Sequence, residues 1–230
     1  MQNQILCLFL MVVVVYAGNR DCKWMEKRLK DNLKKSSVFS SDFTETITRI
    51  YPYTVDLELL VNHQIKMELN AFYNYLSMSY FFRREDQDMD GFTKFFHDAA
   101  MEELKHAEMF MKYQAKRGGR VELYNLPAPS KQEWNNALHV LRAALALERN
   151  VTDEVLCLHQ MSNDKYNDVD LTNFLEGEII PEQYSGMKEL ASKIKTLTRM
   201  SSSKSSKGKE DFKNYGIAEF HFDQLLKASK

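Results

Sequence analysis

The chain has 230 residues, of which 44% are hydrophobic and 27% charged, values typical of a globular protein. Its 31 basic and 32 acidic side chains leave a formal net charge of −1, which argues against a dedicated nucleic-acid-binding protein. The sequence contains no Walker-type glycine loop, G-x-G-x-x-G motif, C-x-x-C pair or G-x-S-x-G elbow. With only 4 Pro and 8 Gly, it favours one helical domain or two small ones.

The first residues have the character of a targeting segment. Residues 1–18, MQNQILCLFLMVVVVYAG, contain an apolar run that is too short to cross a bilayer as a helix. Val15 and Ala17 occupy the −3 and −1 positions where a secretory peptidase expects small residues. We therefore predict a signal peptide that is cleaved after Ala17 or Gly18, and a secreted or vacuolar protein. An apolar first helix is the alternative.

Residues 19–54 are predicted to form a polar N-terminal arm, to which the sequence assigns no role. Loss of the signal peptide would remove Cys7 and leave Cys22 and Cys157. These two cysteines allow one disulfide at most, within or between chains, and the sequence leaves its formation open. The sequon at Asn150 is a formal glycosylation site, but we expect it to be poorly used because it lies beside a predicted core residue.

The region from residue 55 to the end is predicted to form one domain of long helices. Apolar residues recur at helical spacing in four runs, at about 55–84, 89–117, 131–166 and 170–199. Gly118-Gly119 marks the end of the second run, and Ser130-Lys131-Gln132-Glu133 reads as a capping box that begins the third. Pro181 lacks an amide donor and is expected to kink the fourth.

The connections complete the predicted architecture. The long segment 118–130 could cross the length of a bundle and join two helices that point the same way. Residues 201–213 form a Ser/Lys-rich insert, and IAEFHFDQLLKAS, at 217–229, is a short amphipathic helix. We therefore predict an all-α four-helix bundle with a long crossover and a short fifth, C-terminal helix. Two αα-hairpins in separate domains are the alternative.

Polar side chains interrupt the apolar stripe of every long run. They are Glu68 and Tyr75 in the first run, Glu103 and His106 in the second, Glu148 in the third and Gln183 in the fourth. Any one of them alone is better explained as an edge residue or a satisfied core histidine. As a set, their buried negative charge must be compensated, because an unpaired buried carboxylate costs several kcal/mol. No Lys or Arg lies at the same level of these stripes. The sequence thus predicts a divalent metal ion.

The ligand types indicate which metal. Carboxylates with imidazole and no thiolate favour iron, manganese or zinc. Glu from two helices with Glu-x-x-His from the other two is the pattern of di-iron bundles, but here Val151 stands in the second histidine position and Gln183 replaces a glutamate. This asymmetry suits iron that binds, is oxidised and leaves. The richer predicted subsite has Glu68, Glu103 and His106, and the poorer one has Glu148, the bridging Glu103 and Gln183.

Four stretches resemble the helices of ferritins of the heavy-chain type. MELNAFYNYLSMSYFF, MEELKHAEMFMKYQAKRGG, ALERNVTDEVLCLH and FLEGEIIPEQYSGMKEL resemble ferritin helices A to D in order, and IAEF resembles the start of helix E. The resemblance implies a ferroxidase centre at Glu68, Tyr75, Glu103, His106, Glu148 and Gln183. It implies a subunit that oxidises Fe(II) with dioxygen or peroxide, binds two iron ions transiently, and stores the Fe(III) mineral in a cage of twenty-four subunits. With the signal peptide, it points to a secreted ferritin of the kind that invertebrates use.

The resemblance also points to residues outside the centre. The candidates for an iron-admitting three-fold channel are Asp170, Asn173 and Glu176, with Asn173 in a position that is usually acidic. The candidates for mineral nucleation are Glu102 and Glu108. Lys105 occupies a position that is often acidic in the heavy-chain type. We therefore expect ferroxidation to be retained, and nucleation to be slower or dependent on partner subunits.

Three other functions remain open at this stage. The first is an iron-transport or yolk-storage particle in which oxidation is secondary. The second is a di-iron carboxylate oxidase acting on an organic substrate, against which the missing second Glu-x-x-His counts. The third is a purely structural bundle. The resemblance implies an oligomeric cage without distinguishing homopolymers from heteropolymers, and the sequence predicts no nucleic-acid partner and no membrane span.

Overall fold

The computed structural model describes residues 22, 23, 25, 27, 50, 52–201, 203–204, 210–211 and 215–228. The predicted signal peptide, most of the predicted arm and most of the Ser/Lys-rich insert lie outside the described residues. The chain divides into two compact units, Met1–Glu45 and Thr46–Lys230. In the first unit, the amide of Met25 donates to the carbonyl of Cys22 over 2.9 Å, and Cys22 is disulfide-bonded.

The described part of the second unit is mostly helical. Its α-helices are α1 (Val55–Arg83), α2 (Asp90–Lys116), α3 (Ala137–Gln160), α4 (Val169–Phe174), α5 (Ile180–Ser201) and α6 (Tyr215–Ala228). A π-helical turn, Met161–Lys165, extends α3, and a second, Leu175–Ile179, joins α4 to α5 in one continuous segment. The two-residue strands β1 (Ser203–Lys204) and β2 (Glu210–Asp211) pair antiparallel. Four long helical segments and a short C-terminal helix confirm the predicted all-α bundle.

The helices pack as two pairs. α1 packs along α2, α3 packs along α5, and α1 also contacts α3. The connection between the pairs runs from Arg117 to Asn136 without regular structure, as the predicted crossover requires. α6 packs against α2 and α5 and closes one end of the bundle. Within the described residues no helix combines the length and the apolar character that a membrane crossing needs.

Local signals in the sequence account for several helix ends. The hydroxyl of Thr54 accepts from the amide of Leu57 over 3.3 Å and caps α1. The carboxylate of Asp168 accepts from the amide of Leu171 over 3.0 Å and caps α4. Gly118 follows α2 with a φ of 75°, a left-handed conformation that glycine adopts at low cost.

The start of α3 differs from the prediction. The helix begins at Ala137, not at Lys131, and its N-cap is Asn136, whose side chain accepts from the amide of His139 over 3.0 Å. Residues 131–134 have no regular structure because Trp134 turns into the core, where its ring meets Phe81 at a centroid distance of 5.3 Å. A capping box contributes about 1 kcal/mol, whereas burying an aromatic ring of roughly 150–250 Å² contributes several times more.

The fourth helical segment accommodates its proline through a change in helical winding. The π turn Leu175–Ile179 ends two residues before Pro181, and α5 continues through the proline to Ser201. Proline cannot donate to the carbonyl one turn earlier, so regular α-helical bonding cannot continue across this point. The structure therefore accommodates Pro181 with a π-helical turn just before it, and the helical segment continues without a break.

Candidate metal centre

The six residues predicted to share a site come from four helices and are all buried. None is more than 8% exposed, and Glu68 is completely buried. Each lies where helical spacing places the apolar stripe of its helix, so the bundle brings the polar groups together at one level. One ligand atom each from Glu68, Glu103 and His106 forms a group in which all the atoms lie within 4.8 Å of one another. Carboxylate oxygens and an imidazole nitrogen suit divalent iron.

The other three predicted residues make hydrogen bonds of their own and line the same cavity as Glu103 and His106. The hydroxyl of Tyr75, on α1, donates to Glu148 Oε1, on α3. The amide oxygen of Gln183, on α5, accepts from the hydroxyl of Thr152 over 3.0 Å. Tyr75, Glu103, His106, Glu148 and Gln183 line one cavity of about 470 Å³, which Glu68 does not line.

Four buried polar atoms at this centre have no hydrogen-bond partner among the described residues. They are Gln64 Oε1, Glu68 Oε2, Glu103 Oε2 and His106 Nδ1. All four are acceptors or, for the imidazole, an atom that can carry a lone pair. Buried acceptors without donors are costly, and a cation that takes their lone pairs would compensate them. The donor set therefore fits a bound divalent cation such as Fe(II).

The buried carboxyl groups raise one another's affinity for protons. Burial raises the pKa of Glu68 well above its ordinary value, and the charge of Glu103 raises it further. Burial, with the charge of Glu148 second, raises the pKa of Glu103 to about 8. Burial also raises the pKa of Glu148, which the hydrogen bond from Tyr75 opposes. Glu103 thus interacts with the carboxyl groups of both Glu68 and Glu148.

The cavity leads from the buried residues toward the surface between α2 and α5. Its outer wall carries charges of both signs, from Lys94, Asp98, Glu102, Lys105, Glu182, Glu189 and Lys193. The buried carboxyl groups of Glu103 and Glu148 form part of its inner wall. A small hydrated ion could therefore reach the centre from this face of the bundle.

Three neighbours of the centre were not found in the sequence. Gln64 donates to Glu68 Oε1 over 2.7 Å, Thr152 bonds Gln183, and Glu182 Oε2 lies 2.8 Å from His106 Nε2. Two of them carried a usable signal, because Gln64 and Thr152 each lie four residues, one helical turn, from a predicted ligand on the same helix. Glu182 carried none, since it is solvent-facing and reads as ordinary helix surface.

The channel candidates lie together near the start of α4, and two of them have partners. Asp170 Oδ2 accepts from Arg117 over 3.1 Å, and Asp170 also lies 3.9 Å from Lys116. Glu176 lies 2.7 Å from His159 Nε2, and the exposed Asn173 has no hydrogen bond in the described structure. Asp170 therefore shares Arg117 with the buried Asp168, to which Arg117 donates two hydrogen bonds of 2.8 Å.

The nucleation candidates occupy different surroundings. Glu102 is exposed and lines the mouth of the cavity, so it adjoins the buried centre. Glu108, two helical turns further along α2, pairs with Lys112 over 3.3 Å. Lys105 lies between them and reaches Glu182, with a distance of 3.9 Å from its Nζ to Glu182 Oε1. The structure thus associates only Glu102 with the cavity.

Fold and centre together define a helical bundle with a buried carboxylate–imidazole cluster. A family model described as a ferritin-like domain matches residues 58–200. A curated relative, soma ferritin of Lymnaea stagnalis, is 42% identical over 148 residues, which cover 64% of this chain and 84% of the relative. The chain belongs to the ferritin family, whose members bind and store iron and assemble as multi-subunit cages.

Proposed function

We propose that this chain is a secreted ferritin subunit of the heavy-chain type, a ferroxidase that oxidises Fe(II) and passes Fe(III) to a mineral inside a cage of twenty-four subunits. The observation that carries the proposal is the buried cluster of Glu68, Glu103 and His106, whose ligand atoms lie within 4.8 Å of one another. Without a cation this cluster would leave three buried polar atoms, one on each residue, without a hydrogen-bond partner in the described structure. A structural bundle would gain stability from apolar residues in these positions.

The proposed centre takes two iron ions as transient substrates. Glu68, Glu103 and His106 bind the first ion, and Glu148, the bridging Glu103 and Gln183 hold the second less strongly. Tyr75 restrains Glu148 through its hydrogen bond. The weaker second set favours release of the oxidised product, because the weakly donating amide of Gln183 stands where the first set has the imidazole of His106.

The oxidation balances without any cofactor held by the protein. Two Fe(II) ions give up one electron each, and dioxygen takes up both electrons and two protons to become hydrogen peroxide. Burial and the charge of Glu148 raise the pKa of Glu103, so a proton competes with iron for this carboxyl group. Binding of iron displaces that proton, because the metal ligand is the carboxylate.

Secretion and assembly complete the proposal. Residues 1–18 act as the signal peptide, and Asp170, Asn173 and Glu176 are the channel residues through which iron enters the cage. N-terminal sequencing of protein collected from the medium of expressing cells tests the first point, with a mature chain beginning at Gly18 or Asn19 expected. A chain that is retained in the cytosol with Met1 intact would exclude secretion.

Lys105 weakens mineral nucleation in this proposal, since it places a positive charge between Glu102 and Glu108. Lys105→Glu should therefore form mineral faster than the wild-type protein once the initial Fe(II) oxidation is complete. Growth of the iron core, followed by absorbance after the oxidation phase ends, measures the effect. Equal core-growth rates in the two proteins would show that Lys105 does not affect mineral nucleation.

Stopped-flow oxidation of Fe(II) by the assembled protein tests the main proposal. Glu68→Ala and His106→Ala should each slow the fast phase by about tenfold to a hundredfold, because each removes a ligand of the richer subsite. Glu85→Ala, which alters an exposed glutamate in the α1–α2 loop, is the matched control. Wild-type rates in both site variants would refute the ferroxidase and leave storage or transport without oxidation.

A further inference from the structure

The two ring nitrogens of His106 have different surroundings. Nδ1 is buried, has no hydrogen-bond partner in the described structure, and lies 3.7 Å from Glu103 Oε2. Nε2 points the other way and lies 2.8 Å from Glu182 Oε2. A neutral imidazole carries one proton and one lone pair, so the partner of one nitrogen decides what the other can do. An ionised carboxylate only accepts, and the proton therefore belongs on Nε2.

Glu182 is held from two sides at the edge of the cavity. Its Oε2 faces His106, while its Oε1 lies 3.9 Å from Lys105 Nζ on the outer side. The side chain of Glu182 is 48% exposed, whereas that of His106 is 10% exposed, so the contact joins the buried centre to the surface. Lys105, which stands at a position that is often acidic in the heavy-chain type, thus pairs with Glu182 beside the centre.

We propose that Glu182 is a positioning residue that holds His106 in the tautomer with its proton on Nε2, and that Lys105 steadies Glu182. The lone pair of Nδ1 then faces Glu68 and Glu103, where the first metal ion would bind. The inference rests on the proposed function, because it assigns Glu182 and Lys105 to the same centre. It gives Lys105 a role beyond the loss of an acidic residue from the nucleation surface.

The size of the effect follows from the exposure of the contacts. Removal of a carboxylate that orients a metal-binding histidine commonly lowers metal affinity by about tenfold to a hundredfold. Since Glu182 is half exposed, we expect the lower end, about tenfold. The exposed pair of Lys105 with Glu182 is worth less, about two- to threefold.

The test is a titration of the metal-free assembled protein with Co(II), which dioxygen does not oxidise on the time scale of the measurement and whose visible spectrum reports its ligands. Glu182→Ala should weaken binding of the first Co(II) by about tenfold. Glu182→Gln should restore most of it, because the amide oxygen can still accept from Nε2. Lys105→Met should weaken it by about two- to threefold. Glu178→Ala, an exposed glutamate one turn earlier, is the control and should bind as the wild type does.

Each other outcome overturns a stated part of the inference. Unchanged affinity in Glu182→Ala would show that His106 needs no positioning by this carboxylate. Equally weak binding in Glu182→Gln and Glu182→Ala would make the charge of Glu182, not its hydrogen bond, the source of the effect. Tighter binding in Lys105→Met would show that Lys105 repels the metal instead of steadying Glu182. Glu68→Ala distinguishes failure of this inference from failure of the proposed function. Unchanged Co(II) binding in that variant would refute the metal centre itself.

Discussion

Thr152 donates its hydroxyl hydrogen to the amide oxygen of Gln183 over 3.0 Å, and both side chains are buried. Thr152 lies one helical turn after Glu148 on α3, so the same helix face supplies a proposed ligand and the group that orients another. The amide oxygen of Gln183 has two lone pairs, so the bond from Thr152 orients this oxygen and leaves one lone pair for the proposed metal ion. The contact also buries the hydroxyl of the Asn150 sequon.

Replacement of Thr152 by valine, which has nearly the same shape but no hydroxyl, should lower the stability of the metal-free protein by about 1–3 kcal/mol, because the buried amide oxygen of Gln183 loses its donor. It should also slow Fe(II) oxidation, since the amide can then rotate. Denaturant midpoints and stopped-flow rates measure the two effects.

Thr152→Ser is the matched control, since it keeps the hydroxyl and removes only a methyl group. It should retain the oxidation rate at a small loss of stability. A valine variant that oxidises Fe(II) at the wild-type rate would show that the orientation of Gln183 is unimportant.

Tyr75→Phe should weaken the second metal subsite and leave the first unchanged. The phenol donates to Glu148, and hydrogen bonds to charged groups are worth about 1.5–3 kcal/mol, which corresponds to a loss of roughly tenfold or more in affinity. Titration with Co(II) should therefore show the first equivalent binding normally and the second more weakly. An equal loss of affinity for the first and the second Co(II) ion would show that Tyr75 supports both subsites. Tyr73→Phe, on a more exposed tyrosine of α1, serves as the control.

The helical spacing of the sequence was sufficient to predict that six polar side chains lie on the buried faces of their helices, because a polar group within an apolar stripe stands out. It could not reveal Glu182, whose side chain is half exposed and which gains significance only when α2 and α5 pack together. The same limit applies at the start of α3, where a local capping signal gave way to the burial of Trp134. Local patterns predict what depends on one helix, and contacts between helices decide the rest.

The role of α6 illustrates the same limit. Its sequence predicts only a short amphipathic helix, but two of its carboxylates satisfy the first amides of other helices. Asp223 accepts from the amide of Phe92 over 2.9 Å at the start of α2, and Glu219 accepts from the amide of Ala137 over 2.5 Å at the start of α3. The two acids lie four residues apart on one helix face, so α6 binds two helix N-termini at once.

The stability of the metal-free protein should fall as pH rises from about 4.5 toward about 8. The pKa of Glu103 is about 8 in the folded protein and near its ordinary value of 4.5 in the unfolded chain. Between these values the folded state holds a proton that the unfolded state has lost. Raising the pH therefore lowers the free energy of unfolding. Burial raises the pKa values of Glu68 and Glu148 in the same direction and adds to the slope.

Denaturant midpoints of metal-free protein at several pH values across this window measure the slope, and Glu103→Gln should reduce it because an amide does not titrate. Addition of Co(II) at the upper end should restore stability, since the metal binds the deprotonated carboxylates. A wild-type midpoint that stays level or rises across the window would contradict the prediction.

Gly91→Ala should displace α6, because a Cβ atom at this position would lie 2.0 Å from the backbone carbonyl oxygen of Asp223. Backbone cannot yield as a flexible side chain does, so the helix must shift and lose its hydrogen bond to Phe92. We expect a loss of about 1–3 kcal/mol in the free energy of unfolding. Gly186→Ala in α5 is the matched control, since no atom lies within 4 Å of its added Cβ. That change should stabilise the helix by about 0.5–1 kcal/mol. Thermal denaturation of the two metal-free variants should therefore shift in opposite directions, and equal shifts would refute close docking of α6 at Gly91.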